Sequence, residues 1–177
     1  MNYAQIDFCD ISNGINIGAV LWVQGCTLHC PGCHNEETWD FDGGKHFNNE
    51  CKNQIFEQLR KQHISRFTIS GGHPLENKNV EDVYLLIKEI KDKFPEKDIW
   101  LYTGYTWEHI FQNVITDDFN KERMYRQEII RMCNVVVDGP YIEEQRDITL
   151  AFRGSKNQRL IDVQETLKQG KIITIQN

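Results

Sequence analysis

The stretch from Gln24 to Asn35 reads QGCTLHCPGCHN, and it places three of the six cysteines of this 177-residue chain close together. They follow the spacing Cys-x3-Cys-x2-Cys, at Cys26, Cys30 and Cys33. Three thiolates are one fewer than a closed tetrahedral zinc site or a fully protein-ligated four-iron cluster requires. Because a proline and a glycine separate the last two cysteines, we expect a loop here rather than a helix. The spacing therefore indicates a metal centre with one open position.

Three other interpretations of this stretch stay open on spacing alone. Residues 30–34 fit the Cys-x2-Cys-His pattern of covalent c-type haem, although residues 1–7 have neither the basic patch nor the apolar core of a signal peptide. A Cys-x2-Cys redox pair leaves Cys26 without a role. A zinc site needs His29, His34 or a distant cysteine as its fourth ligand.

Length and charge limit the fold and the partners. At 177 residues the chain is expected to form one domain, residues 1–177, shorter than the roughly 250 residues of a complete eight-fold β/α barrel. The 26 acidic and 20 basic side chains give a net charge of −6, which favours neither nucleic acid nor an anionic membrane surface. There is no apolar run of about twenty residues and no targeting segment, so a cytoplasmic protein is expected.

The rest of the sequence alternates strand-like apolar runs with amphipathic helical runs. Such alternation predicts an α/β fold with a mostly parallel sheet. The predicted strands are residues 19–23, 67–70, 99–102 and 135–137, and the predicted helices are residues 50–62, 80–94 and 122–132. Each strand runs into a polar turn that contains glycine, and the cysteine stretch follows the first strand. Since β/α folds place their sites at these strand ends, the turns are expected to form one site. The other cysteines, Cys9, Cys51 and Cys133, are expected to be bystanders rather than a disulfide framework.

The cysteine stretch resembles that of the radical S-adenosylmethionine (SAM) enzymes in both spacing and placement. The resemblance implies a partial β/α barrel and one 4Fe-4S cluster held by Cys26, Cys30 and Cys33. It also implies that the amino and carboxylate groups of SAM chelate the fourth iron. One electron from the cluster then cleaves SAM to a 5′-deoxyadenosyl radical. In such an enzyme the cofactor carries the chemistry and the protein orients it.

Further blocks narrow the resemblance to the activating proteins of anaerobic (class III) ribonucleoside-triphosphate reductase. They are CPGCHN at 30–35, SGGHPL at 70–75, DIWLYTGY at 98–105, VDG at 137–139 and FRGSKNQR at 152–159. The resemblance implies an enzyme that abstracts hydrogen from a glycine of the reductase and takes electrons from a donor such as flavodoxin. Two enzymatic alternatives are a pyruvate formate-lyase activase and a synthase acting on a small heterocycle. An alternative of another class is a non-catalytic metal or electron-transfer module.

The same resemblance implies the SAM contacts. Gly32, Cys33 and His34 are expected to lie against SAM, and Gly72 to contact its methionine part through the backbone. Bare glycine backbone allows such close approach. The sequence departs from the family at His73, where an acidic residue is usual, so no role is assigned to that side chain.

Two further groups have a functional and a structural interpretation. Trp39, Tyr105 and Asp138 could line the SAM or partner surface, although an aromatic side chain at a strand end more often packs. The polar run that holds Arg153, Asn157 and Arg159 could support the site or bind the reductase, or it could be a solvated loop. These alternatives stay open on the sequence.

Overall fold

The computed structural model describes residues 1–111 and 120–176, with seven strands and five α-helices in that part of the chain. The strands are β1 Asn2–Asp10, β2 Gly18–Val23, β3 Lys45–His46, β4 Arg66–Gly71, β5 Asp98–Tyr102, β6 Val135–Asp138 and β7 Arg159–Asp162. The helices are α1 Asn49–Leu59, α2 Val80–Lys93, α3 Trp107–Phe111, α4 Lys121–Met132 and α5 Val163–Gln169. Short 3-10 helices span Glu36–Thr38 and Glu143–Gln145.

All seven strands form one sheet in the order β3-β1-β2-β4-β5-β6-β7. The four central strands, β2, β4, β5 and β6, are parallel, which confirms the prediction for the four strands identified from the sequence. The edges differ, because β1 and β3 on one side and β7 on the other pair antiparallel. Within residues 1–111 and 120–176, β3 and β7 are the sheet edges, so the fold is mixed α/β with an open sheet. The strand before the cysteines is the second strand, not the first.

The central strands are apolar because both faces of the sheet are covered. Side chains such as Leu21, Ile69 and Leu101 are fully buried in the main core, together with the apolar stripes of α1 and α2. The predicted helix over 80–94 is confirmed, and it ends at Lys93, just before Phe94 and Pro95. The helix predicted over 50–62 ends earlier, at Leu59.

A smaller apolar cluster lies apart from the main core. It consists of Trp100, Val135, Val137 and Leu160, against which Phe152 and other partly buried side chains pack. No helix in the described residues is long and apolar enough to cross a membrane.

The turns after the parallel strands meet at one end of the sheet, where the C-terminal ends of these strands lie. The Gly72 N–H donates to the carbonyl of Val23 at 2.8 Å, and the His73 N–H donates to that of Gly25 at 2.8 Å. On the other side, the Thr103 N–H donates to the Val137 carbonyl at 2.9 Å. The fold therefore brings the cysteine loop against the turns after β4, β5 and β6, as expected for parallel strands.

Candidate functional site

The cysteine loop, residues 24–35, leaves β2 in a conformation fixed by backbone contacts. The Gly25 N–H donates to the Thr38 carbonyl at 2.7 Å, and the Cys26 N–H donates to the Trp39 carbonyl at 3.0 Å. Gly25 has φ +97°, and a Cβ there would lie 2.1 Å from the ring of Phe41. The loop is therefore anchored at its first cysteine and at the residue before it, and it is irregular, as the proline and glycine predicted.

All six cysteines are free thiols in the structure. In the loop, Cys26 is buried, while Cys30 and Cys33 are partly exposed. The Cys33 N–H donates to the Cys30 carbonyl at 3.1 Å, which closes a tight turn around Gly32, where φ is +71°. Two ligand candidates thus lie on one turn, and the third precedes them on the buried side.

The thiols of the loop influence each other's protonation. Burial raises the pKa of Cys26, and the neighbouring Glu76 and Cys30 raise it further. Burial also raises the pKa of Cys30; Cys33 adds to this rise and the backbone N–H of Tyr141 opposes it. A cationic centre would offset these effects, because metal binding deprotonates thiols and releases protons.

These thiols fit an iron–sulfur cluster, because Cys thiolates are the donors that hold such clusters. Within residues 1–111 and 120–176, no three His, Cys, Asp or Glu side chains are arranged to hold a single metal ion. The histidines considered as a fourth zinc ligand contact aromatic rings: His29 stacks on Trp39 at 4.5 Å, and His34 lies 6.5 Å from the ring of Tyr141. The loop therefore offers three candidate ligands for such a cluster.

A chain of buried polar side chains ties the cysteine loop to the next two strand ends. Glu76 accepts hydrogen bonds from the N–H of Thr27 at 3.0 Å and from its hydroxyl at 2.7 Å. His73 is 1% exposed; its Nδ1 lies 3.3 Å from Glu76, and its Nε2 lies 2.8 Å from the Thr103 hydroxyl. The residue after the first cysteine is therefore fixed by a carboxylate from the turn after β4.

Protonation states in this chain follow from burial and partners. Burial lowers the pKa of His73, so the ring is neutral near pH 7. Burial acts to raise the pKa of Glu76, but hydrogen bonds from His73 and Thr27 prevail and lower it to about 2. An ionised carboxylate can only accept hydrogen bonds, so His73 donates one to Glu76 through Nδ1. Its Nε2 therefore accepts a hydrogen bond from the Thr103 hydroxyl. At position 73, where the family usually has an acidic residue, this chain therefore has a neutral hydrogen-bond donor. Glu76, three residues later, supplies a carboxylate instead.

Gly72 packs directly against the backbone of the cysteine loop. A Cβ at this position would lie 2.7 Å from the carbonyl oxygen of Gly25 and 2.8 Å from that of Thr38. Close packing of backbone on backbone thus requires glycine here. This packing explains why residue 72 is glycine. The contact of Gly72 with SAM stays a prediction.

A cavity of ≈ 470 Å³ opens beside Cys26. It is lined by Cys26, Thr27, His29, Trp39, Asp40, Phe41, Asp42 and Lys78. The size falls within the range of small-molecule sites. Trp39, which the sequence suggested as a site residue, contributes to this lining, and its buried indole N–H has no hydrogen-bond partner in the part of the chain that the structure describes. The four residues predicted to contact SAM do not line this cavity. Three of them, Gly32, Cys33 and His34, lie in the C-terminal part of the cysteine loop.

Asp138 belongs to an ion-pair network at the end of β6. Its Oδ1 accepts from Arg159 Nε at 2.9 Å, and its Oδ2 accepts from the Trp107 N–H at 2.8 Å. The same guanidinium binds both carboxylate oxygens of Glu108, at 3.0 and 2.8 Å. Both oxygens of Asp138 are thus engaged within the protein, which supports a structural interpretation for this side chain. Tyr105 packs edge-on against the ring of His73 at 4.4 Å.

The block Arg153–Arg159 is not a solvated loop. It runs antiparallel to residues 138–142 and holds them one after another. Gln158 donates to the Gly139 carbonyl at 3.2 Å, Asn157 donates to the Pro140 carbonyl at 2.7 Å, and the Ser155 hydroxyl accepts from the Ile142 N–H at 3.2 Å. Arg159 begins strand β7 rather than lying in a loop. The block therefore fixes the segment that follows β6 at the site end.

Sequence reasoning missed three residues that the structure brings to the cysteine loop: Glu76, Tyr141 and Glu143. Glu76 lies 49 positions from its partner Thr27, and no local pattern marks such a pair. The sequence shows only that an acidic residue stands three positions after His73, which does not reveal its partner. The other two approach Gly32 from the segment after β6, which carries no motif of its own.

Residues 12–161 match the family described as 4Fe-4S single cluster domain. Several similar proteins are named anaerobic ribonucleoside-triphosphate reductase-activating protein. That of Escherichia coli (strain K12) is 37% identical over 89% of this chain and 96% of its own length. That of Enterobacteria phage T4 is 38% identical over 90% of this chain and 93% of its own. That of Haemophilus influenzae is 36% identical over 89% and 96%, respectively.

Proposed function

The chain belongs to the family of these reductase-activating proteins and to the 4Fe-4S single cluster domain family, and from this premise we propose that it is a radical SAM enzyme. Its protein substrate is the anaerobic ribonucleoside-triphosphate reductase, and its product is a glycyl radical on that reductase. The observation that carries this proposal is the three-thiol loop at the C-terminal ends of the parallel central strands.

Each group of site residues has a role in the proposal. Cys26, Cys30 and Cys33 hold the cluster, and three thiolates leave one iron for SAM. Gly32, Cys33, His34 and Gly72 contact SAM. When bound, the cluster supplies one electron for reductive cleavage of SAM to a 5′-deoxyadenosyl radical, which abstracts hydrogen from a glycine of the reductase.

The surrounding residues position the loop and exclude water. Glu76 holds the backbone of Thr27, so Cys26 keeps its place relative to the turn after β4. Gly72 lets that turn pack against Gly25. Since orientation and exclusion of water are what the protein adds to cofactor chemistry, this packing is the protein's contribution.

The open sheet suits a protein substrate. We propose that it is the partial β/α barrel of the radical SAM type, because its central strands are parallel and the edges do not pair with each other in the described residues. An open edge admits a peptide loop that a closed ring would exclude. A glycine Cα is accessible because no side chain shields it. The electron donor would be of the flavodoxin type and the compartment the cytoplasm.

The test is a two-step assay without oxygen. The protein is reconstituted with iron and sulfide, reduced and mixed with SAM, and 5′-deoxyadenosine is quantified. The reductase is then added, and paramagnetic resonance is used to detect a glycyl radical. We expect both products.

Each rival function predicts a different result. Deoxyadenosine without a glycyl radical on the reductase would indicate a SAM enzyme with another substrate, such as pyruvate formate-lyase or a small heterocycle. An intact cluster that yields neither product would contradict the proposal and favour an electron-transfer module. Zinc in place of iron would favour a structural metal site.

A further inference from the structure

Residues 141–143, which we term the cover segment, lie against the C-terminal part of the cysteine loop, at the turn around Gly32. A Cβ on Gly32 would lie 2.3 Å from the Glu143 carboxylate oxygen Oε2 and 3.5 Å from Cε1 of Tyr141. The Tyr141 hydroxyl donates to the same carboxylate at 2.5 Å, and its ring lies 6.5 Å from that of His34. A carboxylate is thus held directly over the turn between Cys30 and Cys33.

The backbone of the cover segment is held in place, while the Glu143 side chain is exposed to solvent. Its Ile142 N–H donates to the Ser155 hydroxyl, and a Cβ on Gly154 would lie 3.1 Å from the Tyr141 ring. Glu143 begins a 3-10 helix, and the carbonyl of the last residue in that helix, Gln145, accepts from the Lys156 N–H at 2.9 Å. The position of the carboxylate is therefore set by the fold.

Charge is the second relevant property of this carboxylate. Among residues 1–111 and 120–176, Glu143 forms no ion pair with any Lys, Arg or His, so its carboxylate is not tied up in a salt bridge. The reduction potential of an iron–sulfur centre depends on net charge, hydrogen bonds to sulfur and solvent exposure. Reduction adds negative charge to the centre, and a fixed carboxylate nearby repels it.

Building on the cluster of the proposed function, we propose that the cover segment sets the reduction potential of that cluster, with the Glu143 carboxylate lowering it. The cover segment also places the backbone N–H of Tyr141 near the Cys30 thiol. A lower potential makes the reduced centre a stronger one-electron donor. Glu143 acts through its electric field and contacts none of the cluster ligands by a hydrogen bond.

The experiment compares Glu143→Gln and Glu143→Lys with the wild-type protein. Glu144→Gln is the matched control, because Glu144 is the next residue of the same 3-10 helix, is exposed and carries the same charge. Each reconstituted protein is poised at a series of potentials without SAM, and the reduced cluster is quantified by paramagnetic resonance.

The expected result is a graded change. At one fixed potential the ratio of reduced to oxidised cluster rises roughly two- to fivefold in Glu143→Gln, as for loss of one unit charge several ångströms away in a solvent-like dielectric. The rise is larger in Glu143→Lys and absent in Glu144→Gln. High salt reduces the difference, because an exposed charge is screened.

Two results would overturn this inference. Equal midpoint potentials in the wild type and both Glu143 variants would remove the electrostatic role, while leaving the proposed function intact. An equal shift in Glu144→Gln would mean that any nearby charge has the same effect. If the wild-type protein formed no cluster, both the inference and the proposed function would fail.

Discussion

Two buried polar regions lie at opposite ends of the central strands, and they differ in how fully their groups are paired. At the N-terminal ends, the fully buried Arg66 donates to the carbonyls of Asn13, Ile15 and Asp10 at 2.9 to 3.2 Å, and forms an ion pair with the Asp10 carboxylate at 2.9 Å. At the other end lies the cysteine loop, which presents free thiols.

Four buried side-chain nitrogen or oxygen atoms of the described residues have no hydrogen-bond partner. They are Gln24 Oε1, Trp39 Nε1, Arg153 Nε and Asn157 Oδ1. Buried polar groups are normally paired, so exceptions call for an explanation. None of these atoms belongs to Arg66 or its hydrogen-bond partners, whereas Gln24 lies in the cysteine loop and Trp39 lines the cavity beside Cys26. The comparison teaches that the polar groups around Arg66 satisfy one another, whereas the candidate site is flanked by polar atoms that the described residues leave unpaired.

Removal of one loop thiol should have the largest effect. Cys30→Ala leaves two thiolates, which cannot hold a four-iron cluster well, so iron loading should be lost almost entirely. Cys9→Ala is the control, because Cys9 is an exposed free thiol outside the loop. Iron and sulfide analysis after anaerobic reconstitution provides the measurement. Equal loading of the two variants would contradict the assignment of the site.

The Arg66 end should respond in stability rather than in metal content. Arg66→Met leaves the partly buried Asp10 carboxylate without its cation, and should lower the free energy of unfolding by about 3 kcal/mol, the lower end of the range for buried pairs. Arg60→Met removes an exposed ion pair with Glu57 and should cost less than about 1 kcal/mol. Denaturant unfolding measures both. A cost for Arg66→Met no greater than for the control would refute the structural role.

The central strands could be predicted from sequence because their signals are local. Apolar runs at Leu21, Ile69 and Leu101, and the helical period of α2, depend only on neighbouring residues. The edge strands could not: β1 is only partly buried and carries polar residues, and β7 has four residues. Their antiparallel pairing depends on contacts distant in sequence.

The residues of the candidate site also fall into two groups: those that a local motif marks and those that only tertiary contacts bring together. The three cysteines and the glycine turns are visible as motifs. Glu76 and the cover segment meet the loop only through tertiary packing, so their spacing carries no signal. The engaged state of Asp138 also depends on Arg159 and Glu108, from two other elements.

Gly72 offers an intermediate test at the cysteine end. Gly72→Ala places a Cβ against two carbonyl oxygens and should cost about 1–3 kcal/mol, since backbone atoms cannot move aside as a side chain can. It should also reduce iron loading by shifting the loop. Gly170→Ala, where φ is +67° and nothing lies within 4 Å, should cost about 1 kcal/mol through strain and leave loading unchanged. Unfolding and iron analysis of both variants check this. Normal loading in Gly72→Ala would show that the loop tolerates the shift.

The smallest effect concerns pH. Folding lowers the pKa of His73 below its ordinary value of 6.5. As the pH falls, the unfolded chain therefore takes up a proton at this residue before the folded protein does. The free energy of unfolding should therefore decrease below pH 6.5, by at most about 1.4 kcal/mol per pH unit from this group.

Glu76 acts in the same direction at lower pH. Its folded pKa is about 2 against an ordinary 4.5, so its stabilisation is complete above pH 4.5 and is lost as the pH falls toward 2. Denaturant unfolding of the metal-free protein at several pH values gives the slope. His73→Gln should flatten it between about pH 7 and 5. An unchanged slope would exclude His73 as its source.

The central claim is that the cysteine loop holds a cluster with an iron open to SAM. The most direct measurement is the paramagnetic resonance spectrum of the reduced, reconstituted protein before and after addition of SAM. We expect a 4Fe-4S signal whose shape changes when SAM binds at the open iron. A cluster signal that SAM leaves unchanged, or a protein without cluster sulfide, would contradict the claim.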